Sequence, residues 1–281
     1  MTESVGISLY DKKLWHIGNA GIGPCFGHDS IRLDLSTGTV IMIHGFRYDP
    51  KSHGDNNPHL STFEHWRKNI IKTTSAFGFG WWSCPGKWML PRSLLKAFLA
   101  GRWNTYRYAW DLAEDAGREL AKIIAQFPKP VTLLCHSLGS RVVLGAIESD
   151  LALPINRVVI MNGAELRKTA VRIVRKRPRI RFFNLVVEED DVLKRFGERF
   201  VPEKGVCIGR VGLGIEAPQN WSDLNLDSLA FKVWARSQGW PNVEGDNPKG
   251  YFDHWWTHKH EGNWPLIHAL LMQGDISPPR P

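Results

Sequence analysis

The chain has 281 residues, of which 43% are hydrophobic and 23% charged, an ordinary globular balance that excludes a disordered or collagen-like chain. No run approaches the roughly 18–20 apolar residues of a membrane span. Cys25, Cys84, Cys135 and Cys207 are scattered without CxxC spacing, so neither a zinc knuckle nor a disulfide scaffold is expected. The formal net charge of +8 matches one acid-free stretch, 167–181, which holds Arg167, Lys168, Arg172, Arg175, Lys176, Arg177, Arg179 and Arg181. Such a run is a solvated helix face and loop, or a local surface for anions.

The opening residues carry neither a basic nor an apolar leader pattern. A cytoplasmic location without a secretory signal is therefore expected. Val40-Ile41-Met42-Ile43, set between Gly38 and Gly45, reads as a buried strand. Helical spacing follows over 62–73, with Phe63, Trp66, Ile70 and Ile71 on one side and Ser61 or Thr62 as N-cap. A strand is expected over 77–82. A long amphipathic helix spans 106–127, its inner face made by Ala109, Leu112, Ala116, Leu120, Ile123 and Ile124, and Pro128 and Pro130 stop it.

Val131-Thr132-Leu133-Leu134-Cys135 is the clearest strand, and a helix follows Gly139 over 142–147. Further buried strands are expected over 157–161 and 182–187. From 202 to 250 the periodicity fades, with one strand expected over 230–234, and a helix closes the fold over 264–272. Apolar strands alternating with amphipathic helices predict an α/β fold: a mostly parallel sheet covered by helices on both faces. A single domain is expected over 1–281, with lid segments at 85–105 and 202–250.

Cys135-His136-Ser137-Leu138-Gly139 lies directly between a buried strand and a helix. A sharp strand-to-helix turn there lifts the Ser137 hydroxyl above the sheet edge. It needs small residues two before and two after, because strand and helix pass close together. Gly139 supplies one, and Cys135 stands where Gly is usual. The Leu138 N–H, at the start of the new helix, is placed to meet a developing oxyanion.

Cys135 to Gly139, continued by Ser140-Arg141-Val142-Val143-Leu144, resembles the nucleophile elbow of the α/β-hydrolase superfamily, in its lipase and esterase branch. Ile41-Met42-Ile43-His44-Gly45-Phe46 is similar to that family's third strand and oxyanion loop. The resemblance implies Phe46, or alternatively Arg47, as second oxyanion donor, with His44 a structural hydrogen-bonder. The family order of Ser, acid, His turns attention to Glu188, Glu189, Asp190 and Asp191. Asp190-Asp191-Val192-Leu193 is similar to the family's acid turn and points to Asp190, with Asp191 second and Glu165 a weaker choice. His254 matches the late catalytic histidine, with His258 and His260 as alternates and His268 structural. The implied chemistry is hydrolysis of carboxylic esters, of lipid-like or aromatic acyl groups, through an acyl-enzyme on Ser137, Asp190 and His254.

His254, His258 and His260 could be read as metal ligands, but no His-Glu-x-x-His pattern exists. No GxGxxG or P-loop appears either. Neither metal nor cofactor is expected, and no nucleic-acid partner. The expected partner is a small-molecule ester, with a weak anionic-surface contact through 167–181 as an addition. The alternative is a catalytically silent scaffold that binds a partner through that basic segment. The aromatics Phe77, Phe79, Trp81, Trp82, Trp88, Phe98, Trp103, Tyr106, Tyr108 and Trp110 serve as core or as an apolar acyl site.

Overall fold

The structure is a computed structural model that describes residues 6–10, 13–18, 21–24, 38–70, 75–84, 105–245, 247, 253–272 and 276. Six parallel strands form its centre: β4 (Thr39–Ile43), β5 (Ser75–Trp81), β6 (Val131–His136), β7 (Ile155–Met161), β8 (Arg181–Val186) and β9 (Trp221–Asn225). An antiparallel meander, β1 (Gly6–Tyr10), β2 (Lys13–Gly18) and β3 (Gly21–Pro24), extends the sheet as β1 joins β5 in parallel. The order is β3-β2-β1-β5-β4-β6-β7-β8-β9.

That order reverses at β4. The chain runs from β4 to β5 on one side and returns with β6 on the other. In open α/β sheets the crevice outside the strands' carboxyl ends, at such a reversal, is where ligands bind. Register keeps those ends level: Ile43 pairs with Cys135, His136 with Met161, and Met161 with Leu185. The residues that follow each strand therefore share one rim.

The inner strands β4, β6 and β7 are apolar on both faces, as a sheet covered twice requires. Ile41, Ile43, Leu133, Cys135, Val158 and Ile160 face α2 (Thr105–Ile124), α3 (Gly139–Ser149) and α4 (Arg167–Val174). The alternate residues Val40, Met42, Leu134, Val159 and Met161 share the opposite core with α1 (Thr62–Ile70), α6 (Leu229–Ser237) and α8 (Trp264–Met272). Two short helices, α5 (Ile208–Val211) and α7 (Trp256–Lys259), sit in the connections. The predicted α/β class and its principal strands and helices are realised with small boundary shifts.

The stretch 202–250 differs from its reading. Residues 230–234, expected as a strand, lie within α6. Phe231 and Ala235 are buried four apart on one side, a helical spacing that outweighs the strand-forming residue types. Among the described residues the last strand is instead β9, Trp-Ser-Asp-Leu-Asn, which pairs with β8. Strand β9 and helix α6 thus fall within this proposed lid. The other lid segment, 85–105, lies outside the described residues except for Thr105, as do Cys25, Trp88, Phe98 and Trp103.

Candidate active site

Ser137 sits at the rim between β6 and α3 with φ 55°. A non-glycine residue in the left-handed region costs of order 1–3 kcal/mol and persists only when its surroundings over-determine it. Here they do. The Ser137 N–H donates to Met161 O at 2.9 Å, and Ser137 O accepts from Ala164 N–H at 3.0 Å. The Ser140 hydroxyl also donates to Ser137 O, at 2.8 Å.

Two glycines make room for the turn. A Cβ on Gly139 would stand 2.6 Å from Ile43 O and 2.7 Å from His44 O. A Cβ on Gly45 would stand 2.7 Å from the Cβ of Ser137. Cys135, two before Ser137, is fully buried and its thiol is pushed up by that burial. It acts as a small apolar residue.

His44 builds the opposite wall. Its Nδ1–H donates to Gly45 O at 2.8 Å, and its Nε2 accepts the Trp81 backbone N–H at 2.9 Å. One nitrogen donates and the other accepts, so the ring is neutral. Burial holds its pKa down at about 3. The Trp81 indole stacks on it and donates to His44 O at 3.0 Å. The loop beyond is thereby fixed.

Arg47, also left-handed at φ 75°, gives its N–H to Ser83 O. That engages one of the two sequence candidates for the second oxyanion donor. Among the described residues, the N–H groups of Phe46 and Leu138 have no protein acceptor.

The candidate acid and base meet. Of Glu188, Glu189, Asp190 and Asp191, only Asp190 is buried. Its Oδ2 accepts from His254 Nδ1 at 2.7 Å and from Asn162 Nδ2 at 2.9 Å, and its Oδ1 accepts from Leu193 N–H at 3.0 Å. Burial alone would push this carboxyl up. The charge and hydrogen bond of His254, with the Leu193 and Asn162 donors, outweigh it and hold the pKa below the usual carboxylate value. Asp191 is exposed and pairs with Arg195 at 3.1 Å. Glu165 is buried but committed elsewhere, to Arg141 at 3.0 Å and Leu166 N–H at 2.8 Å.

His254 is tied to the end of β6 through His136. The His136 Nε2–H donates to His254 O at 2.8 Å, and the two ring centroids lie 4.6 Å apart. Burial holds His136 at about 3, hence neutral. Ser137 Oγ and His254 Nε2 share no hydrogen bond in the structure. In free enzymes this link is often long or poorly aligned and tightens on the substrate complex.

The alternates have other surroundings. His258 packs edge-on against His136 and Trp66, its two ring nitrogens unbonded and its pKa held well down by burial. His260 bonds Asn242 O at 2.9 Å, and His268 lies on α8.

Asn162 is the residue that sequence reasoning missed. It follows β7 at φ 48° and aims its amide at Asp190. An Asn immediately after a buried strand was the available signal, since Asn tolerates the left-handed region that such a turn uses.

The basic segment engages part of its charge with other groups of the fold. Arg167 pairs with Glu216 at 3.2 Å, and Arg172 pairs with Glu148. Arg177 is buried beneath α3 and donates to the carbonyls of Ile147, Asp150 and Leu151. Lys168, Arg172, Arg175, Lys176 and Arg179 remain exposed, of which Arg172 is paired with Glu148.

No protein-family model matches the chain, and no curated protein matches it significantly. Among solved structures it is similar to a gene product of Listeria innocua, at 8% identity and a TM-score of 0.42, over 86% of this chain and 96% of that one. It is also similar to a protein named FAE, at 9% identity and 0.39, over 98% and 90%. An uncharacterised protein from Capnocytophaga ochracea matches at 10% and 0.36, over 96% and 74%. Similarities of this size do not reach the chemistry of a site, and the α/β architecture stands on the chain's own strand order. Among the described residues no helix is long and apolar enough to cross a membrane.

Proposed function

We propose that the chain is a serine hydrolase that cleaves carboxylic esters through an acyl-enzyme. The observation that carries this reading is the buried Asp190–His254 pair, tied by His136 to the strand end where Ser137 holds a left-handed conformation. A serine hydroxyl is a poor nucleophile at neutral pH and needs a base beside it. In the proposed reaction Ser137 Oγ attacks the ester carbonyl as His254 Nε2 takes its proton. The carbonyl oxygen gains negative charge and meets the Phe46 and Leu138 N–H groups, each worth about 3–4 kcal/mol in comparable sites.

The bond from acyl carbon to alcohol oxygen then breaks, and His254 returns the proton to the leaving alcohol. Water, deprotonated by the same ring, attacks the acyl-serine and releases the acid. Asp190 accepts the Nδ1–H throughout, which fixes the tautomer and stabilises the imidazolium.

Active-site labelling tests the reading. A fluorophosphonate should label the wild-type protein and not Ser137→Ala, and p-nitrophenyl esters should show burst kinetics that the variant lacks. An unlabelled, inactive wild type would reject the hydrolase. Salt-sensitive binding to anionic vesicles through Lys168, Lys176 and Arg179 would then favour the silent scaffold.

A further inference from the structure

A row of aromatic rings leads away from the proposed oxyanion loop. Phe46 meets Tyr106 edge-on at a centroid distance of 5.1 Å, Tyr106 meets Phe196 at 6.1 Å, and Phe196 meets Phe200 at 5.8 Å. Phe46 is half-buried, and the row dips into the core at Tyr106 before it reaches the surface. Tyr106 is 2% exposed, whereas Phe196 and Phe200 are 39% and 41% exposed. It begins at the residue whose N–H is the second proposed oxyanion donor. Its outer end lies on the segment that begins with Asp190, whose Oδ1 accepts from Leu193 N–H at the start of a short π-helical turn, Leu193–Gly197.

Two half-bare phenyl rings at the rim of a reaction centre hold apolar surface in water that a ligand would cover. The side on which they stand decides which part of an ester they face. Phe46 and Tyr106 pack with the core beneath α2. His254 arrives from the other layer: its neighbour His136 touches His258, which lies against Trp66 and accepts from Trp264 Nε1 through its carbonyl, and both tryptophans belong to the opposite core. A leaving alcohol must sit by His254 to take its proton. The acyl substituent then points the other way, onto the aromatic row.

We infer that Phe46, Phe196 and Phe200 form the acyl-binding wall, with the buried Tyr106 ring behind it, and that the substrate's acyl group is apolar and long enough to reach Phe196. This rests on the serine hydrolase reading and assigns the acyl side of that same site. A carbonyl held at the Phe46 and Leu138 N–H groups places the first acyl carbons against Phe46, and each further methylene along the wall leaves water.

The test is a series of p-nitrophenyl esters from acetate to octanoate, measured on wild type, Phe196→Ala, Phe200→Ala and the conservative Phe196→Leu, with fluorophosphonate labelling of each. Thermal unfolding checks that each variant is folded. For wild type, kcat/KM should rise about fourfold per methylene over the part of the series that reaches the wall. In Phe196→Ala and Phe200→Ala the octanoate-to-acetate ratio of kcat/KM should fall at least about tenfold, and Phe196→Leu should restore most of it. Labelled, folded alanine variants that keep the wild-type ratio overturn the inference and leave the hydrolase intact. So does a ratio that responds only to the alcohol part, read with acetate esters of graded alcohols. A wild type that neither labels nor cleaves any ester removes the hydrolase reading itself.

Discussion

Asp190 and Asp191 are adjacent in sequence and opposite in circumstance. One is sealed beneath His254 with three donors on its oxygens, and the other is an exposed partner of Arg195. Asp190→Asn places an amide where a carboxylate must accept the Nδ1–H, which favours the wrong tautomer. On the proposed mechanism kcat should fall by on the order of 10⁴-fold. Asp191→Asn removes one exposed ion pair and should stay within about twofold, since such pairs contribute roughly 0–1 kcal/mol. Steady-state kinetics on a short-chain ester compares the two, and equal losses would reject Asp190 as the orienting acid. Asn162→Ala removes one donor from the same carboxylate and leaves a left-handed position without the side chain that tolerates it. Its kcat should fall about tenfold with KM little changed, the signature of an interaction made in the transition state. A raised KM at unchanged kcat would move Asn162 out of the positioning role.

At the level of elements, the elbow depends on how closely β4, β6 and α3 approach one another. Gly139→Ala drives a Cβ into two backbone carbonyls, Ile43 O and His44 O, neither of which can rotate away. It should cost about 1–3 kcal/mol of stability, read from the denaturant midpoint at constant m-value, and also lower fluorophosphonate labelling by shifting the turn. A variant as stable and as reactive as wild type would show that the elbow has slack. This element was legible because its constraints are local: a β-branched and leucine run, a Ser, then a Gly. The meander β1–β3 was not legible, since Gly6, Gly18, Gly21 and Gly23 interrupt any periodic pattern. Strand β9 escaped because it offers only Trp221 and Leu224 as apolar residues among Ser222, Asp223 and Asn225. It is a strand because β8 supplies a parallel edge to pair with, a tertiary cause that propensity does not carry. Asn162 was hidden for a similar reason: its meaning comes from Asp190, 28 positions away.

The whole molecule carries neutral imidazoles in its interior, which sets the direction of its acid response. His44 and His136 are held at about 3 by burial, and His258 is held well below 6.5 for the same reason. Above pH 6.5 these rings are neutral in both the folded and the unfolded chain, and they add no pH dependence. Between 6.5 and about 3 the unfolded chain binds protons that the folded one refuses, so stability falls as pH falls. Near pH 5 each such ring should remove about 2 kcal/mol relative to pH 7. Asp190, held below its usual value, adds a loss of the same sign only at lower pH, once the unfolded carboxyl takes its proton. His136→Gln isolates one contribution, because a Gln amide can still donate to the His254 carbonyl but does not titrate. Its unfolding free energy should therefore fall less steeply between pH 7 and 5 than that of wild type, by about 2 kcal/mol over the interval. Denaturant unfolding at a series of pH values gives both slopes. Parallel slopes would mean that His136 is protonated in the folded protein, and the neutral donor that ties His254 to the end of β6 would have to be abandoned.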